Sequence, residues 1–199
     1  EDVVTTTATP QELIEAKERQ SVYQKTVILT PGNYKADLLV RDPSSGAGGV
    51  RHIGFIVPRF GSTLSTSSLI LASVLESVTN PAASHQFMIG DQKVIPNISG
   101  TFHRGSPVGV YLQIYNAGID QTTLRPSVEV EYALIKDGKE LGKQAEDWRG
   151  SRTNGDRLTL SRLIDSRNLT PGEYRVEMRI RDQVTGQTLV QSSKFKILQ

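Results

Sequence analysis

The chain has 199 residues, with 23 basic and 21 acidic side chains for a net charge of +2, and no cysteine. Disulfides, thiolate nucleophiles and sulfur-ligated metals are therefore excluded, and the interleaved charges lack the concentrated basic face that nucleic-acid binding needs. No apolar run reaches the roughly 18 residues of a membrane-spanning helix, and the length fits two domains of about 100 residues.

The N-terminal stretch EDVVTTTA is β-prone, and Val3, Val4, Thr5, Thr6 and Thr7 form a candidate edge strand for assembly. Thr9-Pro10-Gln11-Glu12 then supplies a helix N-cap, a proline at the first helical position and a capping glutamate. A short helix to about Gln20 is predicted, with Leu13, Ile14 and Ala16 as its apolar patch. Such a helix is marginal alone and must dock on something. Glu1 in place of Met, with no signal-peptide pattern after it, predicts a processed or excised product, and the lack of cysteine suits a bacterial exported protein.

From Ser21 the period becomes two, and strands are predicted over Val22–Leu29, then from Tyr34 to Arg41, then around Ile53, Phe55 and Val57. Tyr34, Ala36, Leu38 and Val40 fall on one face, predicted to be core, with Lys35, Asp37 and Arg41 on the other. Residues 59–84 read as a Ser/Thr-rich connector whose run Leu69-Ile70-Leu71-Ala72 is either a strand or a buried link. Strands follow near 86–90, 93–102, 108–115, 127–136, 139–145, 156–163, 173–182 and 188–198, and Asp137-Gly138 marks a hairpin.

A repeat organises these elements. Residues 29–58 align without a gap, at an offset of 140, onto residues 169–198. Both copies read Leu-Thr-Pro-Gly-x-Tyr, then alternation, then Arg-Asp-x-x-[Ser/Thr]-Gly. Pro31 and Pro171 fix φ, Gly32 and Gly172 allow the tight turn, and Tyr34 and Tyr174 occupy the place of a tyrosine corner, whose hydroxyl bonds back to upstream backbone. Asp42, Gly46, Asp182 and Gly186 are expected to build the hairpin turns. The predicted fold is all-β: two immunoglobulin-like or fibronectin-III-like β-sandwich modules, the first incomplete, with one short N-terminal helix. The expected division is an arm and helix at 1–20, an incomplete sandwich at 21–60, a linker at 61–84 and a complete sandwich at 85–199. The first copy has too few strands before it to make a sandwich, so its sheet needs a second layer from elsewhere.

The segments RQSVYQKTVILTPGNYKADLLVRDPSSGAGGVRHIGFIVPRF, LSTSSLILAS, QFMIGDQKVIPNISGTF, GVYLQIYNAG, PSVEVEYALIKDGKEL and LTPGEYRVEMRIRD together resemble the C-terminal region of large bacterial exported proteins that carry a GWxTD domain. The resemblance covers nearly all of residues 18–199 and implies a tandem of β-sandwich modules without assigned catalysis. The GWxTD signature itself is absent from the chain.

Catalytic and ligand-binding patterns are not found. His52, His85 and His103 are far apart, with no HxxxH or HExxH spacing, and no serine sits in a GxSxG elbow. Gly46-Ala47-Gly48-Gly49 has no following helix or P-loop lysine and reads as a hairpin tip. The Asp42 and Asp182 turns lack the oxygen-ligand spacing of a calcium loop. Dispersed carboxylates of a hydrolase would be recognisable only in three dimensions. Trp148, in a predicted loop, is the one candidate for ligand contact, stacking on a sugar or a partner surface; a loop tryptophan tucked against its own sandwich is the commoner arrangement. Asn97-Ile98-Ser99 and Asn168-Leu169-Thr170 are glycosylation sequons that matter only in a cell that modifies them.

The expected function is that of a non-enzymatic structural or assembly protein of the bacterial surface or an extracellular filament, without cofactor or metal. Its partners are further copies of itself, head to tail, through strand complementation, or the missing N-terminal part of a parent protein. The alternative is a carbohydrate- or protein-binding accessory module excised from a larger exported protein.

Overall fold

A computed structural model of the chain describes residues 22–43, 45–79, 87–149, 153–154 and 157–199. The predicted N-terminal strand at Val3–Thr7 and the helix after it lie outside the described residues, as does His85. Among the described residues every regular element is a strand, and no helix is long and apolar enough to cross a membrane.

Strands β1 (Gly32–Arg41) and β2 (Gly48–Val57) form a two-stranded antiparallel sheet by themselves. Next come β3 (Ser65–Thr66), β4 (Ile70–Ser77), β5 (Met88–Ile89), β6 (Gln92–Pro96), β7 (Thr101–His103), β8 (Val108–Tyr115) and β9 (Ile119–Asp120). The chain closes with β10 (Arg125–Lys136), β11 (Lys139–Arg149), β12 (Thr153–Asn154), β13 (Arg157–Ile164), β14 (Gly172–Asp182) and β15 (Thr188–Leu198). One sheet runs β11-β10-β14-β15-β7 with β9 beside β10, and the other runs β12-β13-β8-β4-β6-β5 with β3 beside β8.

These two larger sheets face each other across one core, a sandwich arrangement dictated by the period-two pattern. Val108, Val110, Leu112 and Ile114 of β8 and Leu158 and Leu160 of β13 meet Val128 and Val130 of β10 and Val176, Met178 and Ile180 of β14, all buried. Each such side chain contributes on the order of 1.5–3 kcal/mol on leaving water. The β10–β11 hairpin turns at Asp137 and Gly138, both at positive φ (51° and 76°), the backbone of a type I′ turn.

Three sequence readings are corrected. Residues 61–84 are not a plain linker: β4 pairs with β8 and with β6, and β3 pairs with β8, so the sandwich begins near Leu64, itself buried. The stretch predicted as one strand over 93–102 is split between the two sheets, β6 in one and β7 in the other. Asn97 makes the break: its amide donates to Thr101 O at 2.7 Å, its Oδ1 accepts from Ser99 Oγ and Gly100 N, and Gly100 sits at φ 67°. Val22–Leu29 is not a strand, and Tyr23, Val27 and Ile28 are exposed. β-prone residues without a neighbouring strand have no ladder to join, so propensity does not act there.

Candidate functional site

The β1–β2 hairpin repeats the register, the tyrosine bond and the backbone bonds of the tip of β14–β15, although Gly172 is at φ 143° and Gly32 is not at positive φ, and that likeness defines its unusual surface. Tyr34 Oη donates to Thr30 O at 2.7 Å, and Tyr174 Oη donates to Thr170 O at 2.7 Å. Gly32 pairs with Val57 and Gly172 with Ile197, and the same offset of 140 holds up the ladders. Tyr34 stacks on Phe55 at 5.7 Å between ring centroids, and Tyr174 on Phe195 at 5.5 Å. At the tips, Asp42 N donates to Ala47 O and Gly46 N to Asp42 O, as Asp182 N does to Gln187 O and Gly186 N to Asp182 O. Gly46 and Gly186 share the left-handed conformation at φ 71° and 73°, which a side chain would strain.

What differs is cover. Tyr174, Met178, Ile180 and Phe195 are each at most 3% exposed, sealed by the opposing sheet. Their counterparts Leu38 (50%), Val40 (72%) and Phe55 (39%) are exposed, and Ile53 is 40% exposed. The face predicted to be core is thus an open apolar surface, for the plain reason that no second layer stands over it in the described residues. The reverse face carries Lys35 and His52, both paired with Asp37 at 3.2 and 2.5 Å, but also the exposed Leu39, Val50 and Ile56.

The same contrast marks the turn aspartates. Asp182 is fully buried; its Oδ2 accepts from Gly118 N at 2.7 Å and its Oδ1 from Val184 N at 2.8 Å and Thr185 N at 3.1 Å. Burial alone would raise its pKa, but the hydrogen bonds from Gly118, Thr185 and Val184 outweigh it and hold the carboxyl below its ordinary value. Asp42 is exposed and takes the Ser45 hydroxyl.

One residue on the open face breaks its apolar pattern. Arg51 stands opposite Leu38, on the apolar side, where β15 has Gln191 opposite Met178. Gln191 Nε2 donates to Thr66 Oγ1 of the other sheet at 2.9 Å. The offset of 140 aligns Arg51 with Gln191, and the register places this swap of amide for cation on the apolar face.

Trp148 is not in a loop: it lies in β11, opposite Val128, and its side chain is outside what the structure describes. His103 Nδ1 lies 3.5 Å from Gln199 O, well apart from the His52–Asp37 pair in sequence and partner. Among the described residues no three His, Cys, Asp or Glu side chains are grouped to hold a metal. An open cleft of about 280 Å³ is lined by Gly105, Pro107, Leu163, Ile164, Asp165 and Arg167. Its one carboxylate, Asp165, is held at a pKa of about 2 by hydrogen bonds from the Arg167 guanidinium and amide, so it stays ionised and paired at neutral pH. That arrangement offers no group poised to donate or take a proton near pH 7.

No family model and no curated protein matches the chain. Solved structures similar to it include a β-glucosidase from Listeria innocua, alone and in complex with glucose, each at 12% identity and a TM-score of 0.34. Each alignment covers 68% of this chain and 16% of the glucosidase chain.

Proposed function

We propose that the protein is a non-enzymatic structural or assembly protein made of immunoglobulin-like modules, exported to the bacterial surface or an extracellular filament. Its subunits associate by strand complementation of the incomplete first module. The observation that carries this reading is the β1–β2 hairpin, a copy of β14–β15 in register, tyrosine bond and backbone turn bonds but with its apolar face open and both of its outer edges unpaired among the described residues. Unpaired edges are templates for an added strand, and exposed apolar faces of this kind mark contact surfaces. The Thr-rich Val3–Thr7 segment of a neighbouring copy is the donor strand, a head-to-tail contact that propagates. The resemblance to the C-terminal region of GWxTD-domain proteins agrees with a tandem of modules lacking catalysis.

The test is the size of the full chain in solution and under the electron microscope. Concentration-dependent growth into oligomers or filaments, abolished by deleting residues 1–8, is the expected result. A full chain that remains a compact monomer sinks the reading.

A further inference from the structure

An added edge strand widens a sheet but leaves its face bare, so strand complementation does not by itself cover Tyr34, Leu38, Val40, Ile53, Phe55 and Val57. We propose that the hairpin faces of two copies pack on each other about a two-fold axis, the other copy supplying the second layer. This deepens the assembly reading and rests on its premise that copies associate.

The ladder dictates the fit. Successive rows across the face are Tyr34–Phe55, Ala36–Ile53 and Leu38–Arg51. A two-fold axis perpendicular to the strands and passing over the Ala36–Ile53 row lays the Leu38–Arg51 row of each copy on the Tyr34–Phe55 row of the other. Leu38 then covers the tyrosine ring and the Arg51 guanidinium covers the phenylalanine ring, a cation–π arrangement. One row further out, Val40 and Gly49 meet Gly32 and Val57, so each large side chain faces a glycine. Centring the axis on the Leu38–Arg51 row instead would set Arg51 against Arg51, and like charges disfavour it. Arg51 thus selects the register, in the position where Gln191 reaches across to Thr66 in the second copy of the repeat. The sheets need only the modest rotation, about 30°, of ordinary face-to-face sheet packing.

The area fits a weak, reversible association. The exposed parts of these side chains amount to at most about 500 Å² per copy, hence about 1,000 Å² in all, the size of weak and transient interfaces. Dissociation constants in the micromolar range are expected, with exchange between single and paired chains.

Sedimentation equilibrium of the full chain tests the proposal, with Arg51→Glu and Leu38→Asp on the inner face and Leu39→Asp on the reverse face. Arg51→Glu is expected to weaken pairing about tenfold, and Leu38→Asp about a hundredfold or more, while Leu39→Asp leaves it unchanged. Arg51 is exposed, so its charge reversal leaves the hairpin folded and keeps the test decisive even where Leu38→Asp unfolds it. Association that survives both inner-face variants but disappears on deleting residues 1–8 overturns face pairing and leaves the assembly reading standing. A chain that is monomeric at about 100 μM overturns both. A photo-reactive residue at position 38 should join to residues 32–57 of another copy; joining to a different polypeptide, or to this chain outside the hairpin, also overturns face pairing.

Discussion

The two hairpins carry nearly the same sequence pattern, the same register, the same tyrosine back-bond and the same turn, yet one is the centre of a core and the other is bare. Local chemistry explains everything they share. Pro31 and Pro171 set φ, Tyr34 and Tyr174 close the corner, and Gly46 and Gly186 allow the tip, with no help from the rest of the molecule. The difference comes entirely from what lies opposite. β8 and β13 stand over β14–β15, while the described residues place nothing over β1–β2. A supersecondary unit can thus be fully specified by its own sequence and still depend on its surroundings for stability.

Truncating matched side chains is the strongest way to break this comparison. Ile180, 1% exposed, sits at the position of Val40, 72% exposed. Ile180→Ala should cost about 3 kcal/mol of unfolding free energy, because transfer and cavity terms add in a packed core. Val40→Ala in a dilute, monomeric sample should cost under about 0.5 kcal/mol. Urea denaturation followed by circular dichroism measures both. Equal losses would mean that the hairpin face is covered after all.

The turn aspartates come next. Asp182→Asn puts an amide where Gly118, Val184 and Thr185 all donate, and one of those donors loses its acceptor in a buried site, costing about 2 kcal/mol. Asp42→Asn, at an exposed turn, should cost a few tenths. The pH dependence gives a second reading. Because the folded state holds Asp182 below its ordinary value, its contribution is complete above the ordinary carboxylate range and is lost as pH falls through that range to the folded value. The melting temperature of the native chain should therefore drop more steeply on acidification than that of Asp182→Asn. Parallel curves would refute the assignment.

The sequence makes legible whatever depends on near neighbours in the chain. The alternation of Val108, Val110, Leu112 and Ile114 and the Asp137-Gly138 turn set strands and a hairpin in place before any tertiary contact is known. What depends on distant partners is not legible. The pairing of β4 with β8 was hidden because Leu69-Ile70-Leu71-Ala72, flanked by serines, has no period that separates strand from link. Asn97 looks like a sequon, and its role as the pivot between sheets shows only in its bonds to Thr101, Ser99 and Gly100. Leu38 and Val40 have the pattern of core residues, and hydrophobic alternation states which face should be buried without stating by what. Arg51 shows the converse: its parity with Ile53 and Phe55 puts it on the apolar face, but which residue it stands opposite follows only from the register with Leu38.

The smallest expected contrast concerns the tyrosine corners, and it isolates cover from hydrogen bonding. Tyr174 and Tyr34 make the same 2.7 Å bond to a threonine carbonyl, so the bond itself cannot distinguish them. Around Tyr174, Lys136 Nζ lies 5.0 Å from the ring centroid and donates to Thr170 Oγ1 at 2.6 Å and Pro171 O at 3.1 Å, anchoring β10 to the corner. Removing the Tyr174 hydroxyl leaves the Thr170 carbonyl without its donor in a partly buried site, and Tyr174→Phe should cost about 1 kcal/mol. At Tyr34 the bond is exposed, water replaces the lost donor, and Tyr34→Phe should cost a few tenths at most. Thermal melts of the two variants at low protein concentration measure the gap. Repeating them at high concentration sharpens it: if paired copies cover the first corner, the cost of Tyr34→Phe should rise toward that of Tyr174→Phe, and a cost that stays flat with concentration would place Tyr34 outside any contact between copies.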